Sequence, residues 1–211
     1  MSTISIIGAG GMAAAIGGLA VKAGHIVEVM SRDPAKARAL ADRIGDRATT
    51  GVFCTAPVGD IVILAVPYAG VLDVMKLYGE RLAGKLVVDI TNPVAPDLKT
   101  FVTPPDSFGA REISKIAPSG AHVVKAFNTH FSHVLAAGSL EGRVLDVFIA
   151  GDDKQSNART SAFVESLGLR PFVVGQLEMA RTLEHACLLS LGLVANSIKH
   201  INFAIGISLP G

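Results

Sequence analysis

The sequence predicts an α/β fold in which a doubly wound, mostly parallel sheet is followed by a short C-terminal helical extension. The first observation is a strand, a glycine turn and a helix in immediate succession over residues 4–21. The second is the alternation of apolar, β-branched runs with helical stretches as far as Gly175, which is typical of parallel sheets with helices on both faces. Half of the 211 residues are hydrophobic, enough for a sizeable core. Together these features indicate a Rossmann-type fold.

The glycine turn near the N-terminus is the most informative motif. Residues 4–7 read as a strand, and the sequence GAGGMA follows at once and opens a helix. Gly8 lets the chain turn, Gly10 lets a pyrophosphate approach the backbone, and Ala13 keeps the helix close to the sheet. Free N–H groups and the positive end of the helix dipole then face the phosphates. The motif predicts a dinucleotide site formed by Gly8, Gly10, Gly11, Met12 and Ala13.

The end of the second predicted strand indicates which dinucleotide binds. NAD sites usually place a carboxylate there, whereas this strand ends in Ser31 and Arg32. The Arg32 guanidinium suits a 2′-phosphate and the Ser31 hydroxyl can donate to it. Lys36 either adds a positive charge one turn into the next helix or is an ordinary solvated lysine. Asp33 precedes Pro34, so we expect it to cap that helix. The pattern favours NADP(H).

The remaining elements continue the alternation. Strands are expected at residues 25–30, 50–54, 60–67, 86–90, 121–127, 144–150 and 169–174, and helices at 35–44, 69–78, 107–116, 154–167 and, as one or two long helices, from 176 through 208. Residues 60–67 are almost wholly apolar, as expected at the buried centre of a parallel sheet. The end of that strand, Ala65, Val66 and Pro67, is therefore expected beside the glycine turn, where ligands bind in open α/β sheets.

Two later strand ends carry polar side chains. The turn Thr91–Val94 follows one strand, and Asn128, Thr129 and His130 follow the next. Because the carboxyl ends of parallel strands meet at one edge, we expect Asn128, Thr129 and His130 to face the crevice and contact a substrate. His130 suits proton chemistry because imidazole titrates near neutrality; a local hydrogen bond is the alternative.

Two stretches define the expected organisation of the chain. Residues 93–120 contain five prolines and one short helix candidate, so they either line or cover the site or form a disordered excursion. Residues 1–175 are predicted to form the NADP-binding Rossmann domain. Residues 176–211 are predicted to form a helical segment that packs on this domain or makes a dimer contact.

Composition excludes several classes of function. Nineteen basic residues against eighteen acidic ones leave no basic surplus for nucleic acid. The two cysteines have no spacing that suggests pairing, and no cluster of His, Cys or carboxylates has metal-ligand spacing. The apolar stretches 4–21 and 186–209 are interrupted by glycines or polar residues, so neither predicts a membrane span. The sequence predicts a cytoplasmic protein without a nucleic-acid, membrane or metal partner.

Nearly the whole sequence resembles the family of NADPH-dependent reductases of the 8-hydroxy-5-deazaflavin coenzyme (coenzyme F-420), whose relatives include the cytosolic domain of the six-transmembrane ferric reductases. The resemblance is carried by residues 8–13, Ser31-Arg32 with Lys36, residues 65–68, residues 89–93, residues 125–129, residues 151–153, and Gly175 with Leu177, Arg181 and Glu184. It implies a Rossmann domain with a short helical C-terminal piece, often in dimers. It further implies a 2′-phosphate site at Ser31, Arg32 and Lys36, and a nicotinamide wall at Ala65, Val66, Pro67, Asn92 and Pro93.

The resemblance also implies the chemistry. It points to an NADP-dependent oxidoreductase that transfers a hydride between nicotinamide and a flavin, deazaflavin or similar acceptor stacked against it. Such an acceptor needs no strong general acid from the protein, so no catalytic side chain is assigned. Two alternatives stay open: a small-substrate reductase of the imine or hydroxyacid type, and a non-catalytic NADP(H)-binding sensor.

Overall fold

Strands and helices alternate along residues 1–208, the part of the chain that the structure, a computed structural model, describes. The strands are β1 (Thr3–Ile7), β2 (Ile26–Met30), β3 (Ala48–Gly51), β4 (Ile61–Leu64), β5 (Leu86–Asp89), β6 (His122–Lys125), β7 (Ser139–Leu140), β8 (Arg143–Val144), β9 (Asp146–Gly151) and β10 (Arg170–Gly175). The α-helices are α1 (Gly11–Lys22), α2 (Pro34–Ile44), α3 (Tyr68–Tyr78), α4 (Gly109–Lys115), α5 (Ser132–Ala137), α6 (Lys154–Ser166) and α7 (Ala180–Leu193).

The main sheet has the strand order β10-β9-β6-β5-β4-β1-β2-β3. Neighbouring strands are parallel except for β6 and β9. The chain winds outward from β1 in both directions, so the predicted doubly wound, mostly parallel sheet is confirmed. The order reverses between β1 and β4, where Ile7 pairs with Leu64. Ligands of open α/β sheets bind outside the carboxyl ends of strands at such a switch point.

Helices cover both faces of the sheet because its central strands are apolar on both sides. Ile4 and Ile6 of β1 belong to the core cluster that includes residues of α1, α2, α5 and α6. Ile7 belongs to the opposite cluster, with residues of α3, α4 and the start of α7. This alternation follows from the two-residue period of a strand. Within residues 1–208, no helix combines the length and the apolar character that a membrane crossing requires.

Four details differ from the sequence-based expectation. The third strand ends at Gly51 rather than residue 54, and Cys54 has a left-handed backbone with φ of 66°. Helix α5 and the β7–β8 hairpin were not predicted, since each is too short to show a periodic pattern. The prediction of one or two long helices through residue 208 is wrong beyond Ile198. Helix α7 ends at Leu193, one π turn reaches Ile198, and Lys199 is left-handed, which terminates the helix.

The chain after Lys199 returns to the sheet instead of continuing as a helix. Ile207 donates its backbone N–H to Asp146 Oδ2 at 2.5 Å, and Arg170 reaches both Asp146 oxygens at 2.6 and 2.9 Å. Burial alone would raise the pKa of Asp146, but the bonds from Arg170 and Ile207 outweigh it and lower the pKa. The Phe203 ring packs edge-on against Phe131 at 5.6 Å. These contacts fix the C-terminal segment beside the start of α5.

His130 lies under this segment and is almost fully buried. Its Nε2 donates to the Asp146 carbonyl oxygen at 2.8 Å, while Nδ1 has no partner among residues 1–208. A second ring proton would therefore be buried without an acceptor. Burial lowers the pKa of His130 below its ordinary value, and the bond and charge of Asp146 only partly oppose this.

Gly8 has a conformation and a neighbour that only glycine accommodates. Its φ is 127°, and a Cβ built there would lie 2.0 Å from the Ala65 carbonyl oxygen. Gly8 also donates its N–H to the Met30 carbonyl at 2.8 Å, and Ala65 donates to Ile7 at 2.8 Å. By contrast, a Cβ on Gly10 would have no heavy atom within 4 Å. Gly8 is therefore required by the fold, and Gly10 is not.

We expect Gly8→Ala to lower the free energy of unfolding by more than about 3 kcal/mol, because the backbone strain and the overlap with Ala65 act together. Gly10→Ala is the matched control, with an expected change within about 0.5 kcal/mol. Urea denaturation without nucleotide measures both. Equal midpoints for the two variants would contradict the assignment.

We expect the free energy of unfolding to depend on pH because His130 is buried in its neutral form. Because its pKa is lower in the folded state, the unfolded state binds more protons, so stability falls as the pH drops below about 6.5, by up to about 1.4 kcal/mol per pH unit. His130→Gln should reduce this slope, whereas the exposed His133→Gln should leave it unchanged. Unchanged slopes in both variants would count against the buried neutral ring.

Candidate functional site

The first turn of α1 is open to a ligand. Gly10 occupies the N-cap position, and within the described residues no side chain caps this helix. The helix therefore presents unpaired N–H groups and its positive dipole end. Nothing occupies the space where a Gly10 side chain would project, whereas a Gly11 side chain would meet Ser132 Oγ at 2.9 Å. This geometry suits an anionic group lying against Gly10.

A crevice of about 390 Å³ extends from the glycine turn along the carboxyl ends of β1, β2 and β4. Its lining residues are Gly8, Ala9, Gly10, Ser31, Arg32, Lys36, Phe53, Ala65, Val66, Pro67 and Val74. Eight of the thirteen residues predicted to bind the cofactor are in this set. Of the other five, Gly11, Met12 and Ala13 form the first turn of α1, and Asn92 and Pro93 follow β5.

The end of β2 presents a hydroxyl and two cations to the crevice. Asp33 accepts hydrogen bonds from the N–H groups of Ala35 at 3.0 Å and Lys36 at 3.2 Å, so it caps α2 as expected. Ser31 Oγ accepts from the Asp33 N–H at 3.2 Å, which leaves its own proton free to donate. Arg32 and Lys36 are exposed, and Lys36 lies 3.8 Å from Asp33. The Ser31 hydroxyl and the positive charges of Arg32 and Lys36 together suit the binding of an exposed oxyanion.

The carboxylate of Glu28 in β2 is engaged in hydrogen bonds to other parts of the protein. Its carboxylate accepts from Ser5 Oγ at 2.5 Å and from the Val58 N–H at 3.0 Å. Ser5 in turn accepts from the Gly59 N–H at 2.9 Å. Glu28 therefore fastens the loop before β4 to the sheet, and its side chain is buried away from the crevice. No described carboxylate takes the ribose position of an NAD site.

Asn92 and Asn128 join the segments that follow the carboxyl ends of β5 and β6. Asn92 Nδ2 donates to the Asn128 carbonyl at 2.8 Å, and Asn128 Nδ2 donates to Asn92 Oδ1 at 2.9 Å. The same Asn128 nitrogen also reaches the Leu183 carbonyl of α7 at 2.9 Å. Phe127, just before Asn128, is buried with φ of 61°, a strained conformation for a large side chain. The structure thus holds this amide pair in one arrangement.

All three predicted substrate residues are buried, and Asn128 is only 4% exposed. Thr129 and His130 are buried, at 7% and 8% exposure. The His130 ring is bonded to the Asp146 carbonyl and its lowered pKa keeps it neutral. The hydrogen bond of His130 to Asp146 fits a structural role, which is the alternative that the sequence left open for this residue.

Two residues that line the crevice were missed by the sequence reasoning. Phe53 and Val74 line the cavity, and Phe53 packs edge-on against Tyr78 at 5.6 Å. Phe53 lies just beyond the carboxyl end of β3, and that position was the available signal. Tyr68 at the start of α3 packs near Gly109. Burial and nearby carboxylates, Glu184 first among them, raise the pKa of Tyr68, so its hydroxyl stays protonated at neutral pH.

A buried ionic cluster behind the amide pair was also missed. Lys125 Nζ donates to Asp89 and Glu184 at 2.8 Å each, and all three side chains are fully buried. Burial alone would lower the pKa of Lys125, but the two carboxylates outweigh it and raise the pKa. No local sequence pattern indicates this cluster, because Lys125 and Glu184 are 59 residues apart.

The residues present fit an NADP(H) molecule. An open glycine turn with unpaired N–H groups suits the pyrophosphate, and the Ser31–Arg32–Lys36 group suits the additional phosphate. Among residues 1–208, no group of three or more His, Cys, Asp or Glu could hold a metal ion. The arrangement can bind and orient a dinucleotide at the switch point of the sheet.

Comparison with known proteins agrees with this interpretation. The family described as NADP oxidoreductase, coenzyme F420-dependent, matches residues 3–93. The F420-dependent NADP reductase of Methanocaldococcus jannaschii is 31% identical over 157 residues, which cover 72% of this chain and 68% of that protein. The metalloreductase STEAP3 of Rattus norvegicus is 26% identical over 181 residues, 86% of this chain. The chain spans only 35% of the length of STEAP3.

Solved structures share the fold. A candidate F420-dependent NADP reductase from Arthrobacter sp. FB24 superposes with a TM-score of 0.86 over 99% of this chain and 100% of that chain, at 23% identity. An imine reductase from Pseudomonas sp. gives 0.65 over 92% of this chain and 62% of that chain, at 17% identity. Both likenesses concern the fold. From the sequence match to the M. jannaschii protein and the family match, the chain belongs to the coenzyme F420-dependent NADP oxidoreductases and is an NADP-dependent oxidoreductase.

Proposed function

We propose that the protein transfers a hydride between NADP(H) and a flavin, a deazaflavin or a similar planar acceptor. The observation that carries the proposal is that one crevice joins an open glycine turn to a hydroxyl-and-cation group at the end of β2. The name of the M. jannaschii relative, an F420-dependent NADP reductase, supports a deazaflavin as the acceptor.

In this proposal, one set of residues binds the phosphates of the dinucleotide, and a second set borders the nicotinamide and the acceptor. The N–H groups at the start of α1 would hold the pyrophosphate, and Ser31, Arg32 and Lys36 would hold the 2′-phosphate. Ala65, Val66 and Pro67 would form the wall against the nicotinamide, with Asn92 and Pro93 beside them. Asn128 and Thr129 would border the acceptor. When bound, NADPH supplies the hydride.

The protein's own contribution is positioning and exclusion of water. A bound dinucleotide lies along strand ends whose spacing the sheet fixes, so the nicotinamide ring is placed without a mobile side chain. The described ionisable groups nearest the amide pair are either paired, as in the ionic cluster, or held neutral, as in His130. This suits an acceptor that takes a hydride without a strong acid from the protein.

The two-part organisation and the homodimer stay predictions. Residues 1–175 are proposed as the NADP-binding domain, and the described part of the segment 176–211 packs its first helical turns on the sheet. The later half of α7 is strongly apolar but only partly covered, and Leu189 is 58% exposed. Contact between two copies of this chain through α7 would cover that surface.

We expect Arg32→Ala to weaken NADPH binding about 10- to 100-fold and NADH binding less than about threefold, because only NADPH carries the phosphate that the guanidinium pairs with. Arg38→Ala is the matched control, since Arg38 is an exposed arginine of the nearby helix α2 that does not line the crevice. Isothermal titration calorimetry measures both cofactors. An equal loss for NADPH and NADH would remove the specificity argument.

We expect single-turnover oxidation of bound NADPH to be fastest with flavins or a deazaflavin in a stopped-flow panel that also contains quinones, ferric chelates, a cyclic imine and a 2-oxoacid. The decrease in reduced-nicotinamide absorbance gives the rate. Gly10→Val should abolish nucleotide binding, and thus the signal, while the protein stays folded. Turnover with the imine or the oxoacid alone would favour a small-substrate reductase. Tight NADPH binding without any turnover would favour a sensor.

A further inference from the structure

The cluster of Asp89, Lys125 and Glu184 is fully hydrogen-bonded. The Lys125 ammonium donates to Asp89 Oδ2 at 2.8 Å, to Glu184 Oε1 at 2.8 Å and to the Thr91 carbonyl at 2.6 Å. All three of its protons are therefore used. Asp89 Oδ1 accepts from the N–H and the hydroxyl of Thr91 at 2.8 and 2.7 Å. The cluster thereby connects the ends of β5 and β6 to α7.

Glu184 also holds the start of α4. Its Oε2 accepts from the Gly109 N–H at 2.9 Å, and its Oε1 accepts from the Ala110 N–H at 3.1 Å. A side chain on Gly109 would lie 2.9 Å from Glu184 Oε1 and 3.0 Å from Tyr68. Glycine is thus the residue that lets the helix approach the carboxylate. The buried carboxylate of Glu184 therefore fixes the start of α4 within the proline-rich stretch 93–120.

Stability alone is a weak explanation for this cluster. Removing charges from water costs several kcal/mol per ion, and apolar replacements of buried ion pairs are often as stable. A fully satisfied buried network does, however, specify one arrangement of the segments that it joins. The segments joined here are the ends of β5 and β6, the start of α4 and one turn of α7.

The same strand ends and α7 carry the amide pair. Asn92 follows Thr91 directly, Asn128 is three residues after Lys125, and Leu183, whose carbonyl accepts from Asn128, precedes Glu184. The ionic cluster and the Asn92–Asn128 pair therefore form two layers on one set of segments. The deeper layer is fully buried. The upper layer follows the carboxyl ends of β5 and β6, on the edge of the sheet where the crevice lies, and Asn92 is only partly buried.

We propose that Lys125, together with Asp89 and Glu184, acts as a positioning cluster for the acceptor half of the site: it sets the Asn92–Asn128 pair and the first turns of α7. The proposal rests on the proposed hydride transfer. The residues assigned to the NADP phosphates lie just after β1, in the first turn of α1, just after β2 and on α2. None of the hydrogen bonds described for the cluster reaches them. Loss of the cluster is therefore expected to impair transfer and to leave NADPH affinity nearly unchanged.

Glu184→Gln tests this with the shape of the side chain kept and its charge removed. Expected are a tenfold or greater fall in the single-turnover rate of NADPH oxidation, and a change of NADPH dissociation constant below about threefold. Gly109→Ala is the second variant, since it displaces the carboxylate without changing any charge. Glu178→Gln, an exposed acid paired with Arg111 and Arg181, is the matched control and should behave as the wild type.

A double-mutant cycle separates positioning from a general loss of fold. If the cluster acts through the amide pair, Glu184→Gln and Asn128→Ala are non-additive in the transfer rate, measured per folded molecule. Additive effects, or rate losses that match the unfolded fraction, would overturn the proposal. If Glu184→Gln does not fold, the same cycle is run with Gly109→Ala.

Hydrogen exchange supplies a readout that does not need turnover. NADPH binding to the wild type is expected to protect residues 8–13, 90–94 and 183–190 together. In Glu184→Gln, protection of 8–13 should persist while protection of 90–94 and 183–190 is lost. Retention of all three would overturn the positioning role. A wild type that shows the three-part protection but reduces no acceptor would refute the proposed function and leave the positioning role supported.

Discussion

The closeness of β1 and β4 at the switch point determines the shape of the site. At Gly8, the backbone is turned with φ of 127° and approaches Ala65 so closely that no side chain fits between the two strand ends. The floor of the crevice is therefore made of backbone, and the first turn of α1 starts immediately above it. Arg32 follows β2, which pairs with β1, and Asn92 follows β5, which pairs with β4. Their separation from the glycine turn is therefore set by the spacing of the strands.

Features encoded by local pattern were predictable from the sequence. The strand–turn–helix over β1 and α1, the Asp33 cap before Pro34, and the apolar central strand β4 each depend on neighbours in sequence. The parallel order follows from right-handed connections between successive strands and helices. The mutual placement of the glycine turn, Ser31–Arg32 and Ala65 then follows, since all of them stand at carboxyl ends of adjacent strands.

Features that depend on distant contacts were not predictable. The apolar pattern after Gly175 suits a helix as far as residue 208, but the part after Lys199 is not helical, and contacts of Ile207 with Asp146 and of Phe203 with Phe131 hold it in place. Glu184 has the spacing of an ordinary helix acid, yet it is fully buried because Lys125 and the start of α4 meet it there. Contacts with residues distant in sequence determine where this helix ends and whether Glu184 is buried, and local sequence patterns do not show such contacts.

The position of the ionic cluster gives the fold two halves with different physical character. The half proposed to receive the phosphates consists of backbone N–H groups and exposed cations, which attract an anion from water and need little desolvation. The half around the amide pair is held by buried charges, whose hydrogen bonds are stronger in a low dielectric and tolerate little displacement. In the proposed function, the first half would capture the dinucleotide, and the second half would hold the reacting ring and its acceptor at one distance. Hydride transfer needs that fixed distance more than it needs an ionisable side chain.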